Sequence, residues 1–199
     1  MRKRTKIVDD FLNAEEPLDE EEQAEIVALM ETEAAAQERL WCTVFAAIAA
    51  VLAFAYCFLG LSQILHPGGM RHHAAFSRRL GRWAIAFGEL ASAACIALSA
   101  FALMGYLSSR TSKASQPRCA WISAAPLVLG LCLAIFWSHA IIQAVKVSTV
   151  EGRSWWRYVW LPAGPLLFAL LGSYVKASLE ESRKGVQRLQ AEMYSYKKL

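Results

Sequence analysis

Three stretches of about 25 residues, 41–65, 83–107 and 121–145, carry almost no charge. No other feature constrains the chain as strongly. Each stretch is long enough, as a helix, to cross a hydrocarbon core of about 30 Å with some tilt. A fourth apolar run, 160–175, is shorter, at about 16 residues before Lys176. Pro162 and Pro165 fall in its first turn, where proline is tolerated. Lys176 can snorkel and let the helix continue past it. The expected fold is an all-α integral membrane protein, a bundle of four transmembrane helices over 41–175.

The acidic residues support this reading by where they lie. Twelve of the 17 precede residue 40, and between Trp41 and Tyr174 only Glu89 and Glu151 are acidic. A soluble domain would spread carboxylates over its whole surface, and it would be less apolar than the 56% found here. The net charge of +4 does not point to nucleic acid, because the basic residues sit in short loops between apolar runs. The first 40 residues do not read as a secretory leader, since they are acidic and precede the first apolar run. The five cysteines, Cys42, Cys57, Cys95, Cys119 and Cys132, form no C-x-x-C pair. They read as small buried hydrophobes and not as a disulfide framework or zinc site.

Residues 1–18 read as a flexible tail. An acidic amphipathic helix is expected over 19–40, leading straight into span one. Asp19 can cap it, Glu22 completes a capping-box-like pattern, and the acids at 20–22 suit the positive end of the helix dipole. Residues 176–199 read as a short amphipathic helix, which Gly185 can interrupt. Six of the seven tryptophans, Trp41, Trp83, Trp121, Trp155, Trp156 and Trp160, mark span ends and form an aromatic belt.

Four spans put both termini on one side. That side holds fourteen lysines and arginines against seven on the other, which predicts cytosolic termini. Arg2-Lys3-Arg4 resembles an arginine-type retention signal, and Lys197-Lys198-Leu199 lies one residue off the dilysine pattern; the alternative is that both are simple positive-inside charge. The expected location is the endoplasmic reticulum, with another organelle membrane as the alternative.

Polar residues inside the spans are the candidate functional residues. Glu89 sits about 9 Å below Trp83, and His139 about 10 Å from Lys146, at 1.5 Å per residue. Both fall in the same leaflet. Gln63 and His66 end span one on that side, and Gln143 follows His139 one helical turn on. His72 and His73 lie in the adjoining loop. Three roles fit this layer of Glu89, His139, Gln143, Gln63 and His66. It can fasten helices by interhelical hydrogen bonds. It can form a proton or solute path, with His139 as partner to Glu89. It can bind a lipid headgroup or a metal. The histidines show neither H-x-x-x-H nor H-E-x-x-H spacing, so neither metal nor cofactor is expected.

Small residues at four-residue spacing supply packing faces: Ala84, Gly88 and Ser92, Ala49 and Ala53, and, eight apart, Gly164 and Gly172. The segment 154–160, with Trp155, Trp156, Arg157 and Trp160, is expected to anchor span four in the interface, or to meet lipid or a partner there. Hydrolase, phosphate-loop and dinucleotide motifs are absent. The expected function is non-catalytic: an accessory, assembly or scaffold component of an internal membrane, whose partners are the bilayer and another membrane protein or a second copy. The alternatives are a small oligomeric proton or solute pathway using Glu89 and His139, and a lipid-handling membrane enzyme.

Overall fold

The computed structural model describes residues 20–77, 80–109, 119–147 and 155–196. Five α-helices follow in chain order: α1 (Glu20–Leu65), α2 (Arg71–Phe76), α3 (Arg82–Ser109), α4 (Cys119–Val147) and α5 (Trp160–Tyr196), with a 3-10 turn at Trp155–Tyr158 before α5. Among the described residues there is no strand. Three helices are long and apolar enough to cross a membrane, over Ala24–Leu65, Arg82–Leu107 and Ala124–Val145. The chain is an all-helical integral membrane protein.

The chain divides into two compact units. One is Glu38–Leu179, and the other gathers the two ends, Met1–Gln37 and Glu180–Leu199. The described residues of the second unit are helical throughout. The bundle itself belongs to the first.

Each long helix of the bundle is apolar on nearly every side, yet only one stripe of it is buried. On α1 the stripe is Cys42, Phe45, Ala49, Tyr56 and Gln63, at three-, four- and seven-residue steps. The opposite face, with Val44, Ile48, Val51, Phe54 and Phe58, is exposed. A helix apolar all round, with half of it uncovered by protein, is suited to lipid. Helix α3 is the most enclosed, burying Ile85, Ala86, Glu89, Ser92, Ala93, Cys95, Ile96, Ser99 and Leu103. Helix α4 contributes Leu133, Trp137 and Ala140, and α5 contributes Leu161, Phe168, Ala169 and Leu179.

Small residues set the close approaches. A methyl group at Gly88 would lie 2.8 Å from ring atoms of both Phe136 and Trp137, so α3 and α4 meet there with no room for a side chain. A methyl group at Gly164 would lie 2.5 Å from the Tyr56 hydroxyl. Helix α5 packs on α1 through stacked Phe45 and Phe168 rings, with centroids 4.3 Å apart. Gly172 lies against Phe45 and Ser99. The small-residue spacing in the sequence therefore marks real contacts at Gly88, Gly164 and Gly172. Pro126 and Pro165 lie within α4 and α5, and the Cys95 thiol points at both of their carbonyls, at 3.3 and 3.8 Å.

The ends of the chain differ in detail from the sequence reading. Helix α1 runs unbroken from Glu20 through Leu40 and Trp41 to Leu65. Helix α5 also runs unbroken, through Lys176 and Gly185 to Tyr196, with no separate C-terminal element. A single glycine costs about 1 kcal/mol in a helix interior, too little to stop a helix flanked by good formers. The Lys176 ammonium sits over the Tyr106 ring at 5.9 Å. The flexible tail expected over 1–18 lies outside the described residues.

Candidate functional site: a buried carboxylate between two histidines

The loop from α1 to α3 folds back into the mouth of the bundle. Its course begins at Gln63, which is fully buried and accepts a hydrogen bond from the Gly68 backbone N–H at 3.2 Å. Gly68 has φ +78°, the left-handed conformation that glycine adopts without steric cost, and this reverses the chain after α1. The short helix α2 follows. Phe76, buried, anchors it between Trp137 and Tyr158, with ring centroids 5.8 and 5.3 Å away. That anchor turns His72 and His73 towards α3.

Glu89 on α3 receives both. Its Oε1 lies 2.9 Å from His73 Nε2 and 3.1 Å from His72 Nε2. Both contacts run through the Nε2 of an imidazole, and the tautomer of each ring sets which partner donates. Glu89 and His73 are 0% exposed, and His72 is 16% exposed. Burial holds the His73 imidazole below the ordinary histidine value; the hydrogen bond and charge of Glu89 oppose that shift, and His72 adds to it. The two imidazole centroids lie 4.0 Å apart with their planes tilted by 59°, and Trp160 meets His72 edge-on at 5.8 Å. Tyr56 lies 5.7 Å from Trp160, ring to ring, and donates to its backbone carbonyl at 3.3 Å.

Not every polar atom here is satisfied. Glu89 Oε2, His73 Nδ1, Gln63 Nε2 and Trp137 Nε1 are buried without a hydrogen-bond partner among the described residues. Native proteins leave few such atoms, and two of the four belong to the Glu89–His73 pair.

The structure separates the residues grouped by depth in the sequence. Glu89 and Gln63 are buried in the mouth of the bundle. His66 is exposed at the end of α1. His139 is exposed on α4, where its Nε2 lies 3.4 Å from Gln143 Nε2, one turn along the same helix. Depth alone paired His139 with Glu89, but helical phase turns it outward, and the partners of Glu89 are His72 and His73. Those two were read as loop residues on the right side of the membrane. The available signal was Phe76, an aromatic residue in a short polar loop, which buries itself and draws the loop inward.

Trp156 and Arg157 are exposed, Trp160 is partly exposed, and the Trp160 indole N–H donates to the Arg157 carbonyl at 2.9 Å. Trp155 opens the 3-10 turn. Comparison with known protein families, with curated proteins and with solved structures returns no match.

Proposed function

We propose that this chain is a four-pass, non-catalytic accessory or scaffold protein of an internal membrane, the endoplasmic reticulum, with both termini in the cytosol. It works by helix packing within the bilayer and by its charged ends outside it.

One observation carries the reading. Glu89, the only carboxylate in 41–65, 83–107 and 121–145, is wholly buried, and both of its imidazole contacts join the α1–α3 loop to α3. The most conspicuous polar residue of the membrane domain is thus engaged in fastening the fold. The broad apolar faces of α1, α3 and α4 remain for lipid and for partner helices. The fourth crossing is supported by the contacts of Phe168 and Gly172 with α1. The location and orientation rest on the basic residues of the loops and ends.

Purification of the tagged protein in mild detergent, with mass spectrometry of what accompanies it, tests the scaffold role. A recurrent stoichiometric membrane partner is the expected result. A homo-oligomer with no partner overturns it. Glycosylation or protease reporters at the two termini test the threading: both on the cytosolic face is expected, and reporters on opposite faces would leave three crossings.

A further inference from the structure

His72, His73 and Glu89 each turn a ligand-type atom to one point, and these atoms lie within 4.8 Å of one another. From this geometry we propose that the three residues bind one divalent transition-metal ion of the zinc class, tying the α1–α3 loop to span α3. The proposal goes beyond the scaffold reading and does not depend on it.

The donor set selects the ion. Two imidazoles and one carboxylate suit zinc and its first-row neighbours, whereas calcium and magnesium prefer oxygen alone. Zinc bonds of about 2.0–2.2 Å place neighbouring ligand atoms roughly 3.3–3.5 Å apart in a tetrahedron. The Nε2 atoms of His73 and His72 lie 2.9 and 3.1 Å from Glu89 Oε1, within a few tenths of an ångström of that spacing, and all three ligand atoms lie within 4.8 Å of one another. On binding, each neutral imidazole carries its proton on Nδ1 and turns the Nε2 lone pair to the metal.

A second observation points to a ligand. Glu89 Oε2 is buried and has no hydrogen-bond partner among the described residues. A carboxylate that neutral imidazoles engage through one oxygen only is under-compensated at this depth, and a divalent cation supplies the missing charge. His72 is the more exposed of the two histidines and gives the ion a way in from the membrane surface. The fourth coordination position falls to water. The spacing is not a recognised zinc motif: two ligands are adjacent in a loop and the third lies on the next span.

The test uses the full chain in detergent, carrying a tag without histidines and stripped of metal with a chelator. Co2+ is added while its visible absorption is followed, and Zn2+ is then used to displace it. One ion per chain is expected, with a melting temperature that rises with Zn2+ concentration. Loss of a supporting contact to a metal ligand already costs 10–100-fold in affinity, so His73→Gln and Glu89→Gln should each weaken binding by more than about 100-fold. His66→Asn and His139→Asn should bind as the unaltered chain does. An X-ray absorption spectrum of the zinc-loaded unaltered chain needs no variant to fold, and it should count two imidazoles with oxygen completing the shell. No Co2+ absorption together with no thermal shift in Zn2+ overturns the proposal. So does unchanged binding by Glu89→Gln, or a zinc shell without imidazole.

Discussion

At Glu89 the cost of a carboxylate about 9 Å below the interfacial Trp83 is met by two imidazoles from a loop, not by a residue on a neighbouring span. An uncompensated charge there would be expensive, so the stability of the bundle mouth should respond to this residue in a graded way. Without added metal, Glu89→Gln keeps an acceptor oxygen for the histidines and should shift thermal unfolding little. Glu89→Leu removes the partner of both imidazoles and should cost about 1–3 kcal/mol for the buried His73 nitrogen left unmatched, read as a lower melting temperature in detergent. The glycines give a second contrast. Gly88→Ala forces a methyl group to 2.8 Å from Phe136 and Trp137 and should destabilise by about 1–3 kcal/mol. Gly105→Ala meets nothing within 4 Å and should stabilise by about 0.5–1 kcal/mol through helix propensity. Equal shifts from the two substitutions would count against the packing described for α3 and α4.

Among the elements, α2 decides the shape of the site. It has six residues, too few to persist alone, so its helical form rests on tertiary contact. Phe76 supplies that contact by inserting between Trp137 and Tyr158. Phe76→Ala should cost about 3–5 kcal/mol and should release the whole loop, including His72 and His73. Hydrogen exchange would show this as lost protection at 71–77, with the centres of α3 and α4 still protected. Protection unchanged in the loop would mean that the histidine–carboxylate contacts hold α2 by themselves. Helix α5 illustrates the opposite case. Its 37 residues stay helical through Gly185, because a lone glycine among helix formers lowers propensity without offering an alternative structure.

At the scale of the whole molecule, large apolar side chains are exposed along every long helix of the described residues, an arrangement that lipid stabilises. Val51, in the middle of the α1 span, is 70% exposed and faces away from the bundle. Val51→Arg should oppose membrane insertion by about 2.5–3.5 kcal/mol at mid-span. A translocon insertion assay on that span measures the effect directly. Insertion as efficient as in the unaltered chain would mean that position 51 does not lie deep in the hydrocarbon.

Long uncharged runs such as 41–65 and 121–145 were sufficient to identify a helical membrane protein, because the thickness of the hydrocarbon core imposes a length that few other structures need. Glu89 could likewise be singled out from sequence, since a carboxylate in an apolar run has no cheap explanation. The small-residue spacing located the tight contacts at Gly88, Gly164 and Gly172, because a missing side chain leaves the same signature in sequence and in packing. What faces Glu89 was not legible. Depth along a helix can be counted in residues, but rotation about its axis relative to a neighbour is set by how the helices pack. That rotation turns His139 outward on α4. A loop's path into a bundle depends on a pocket built by distant residues, here Trp137 and Tyr158 around Phe76. Tertiary structure alone therefore brought His72 and His73 to the carboxylate, since the contacts that place them join parts of the chain more than fifty residues apart.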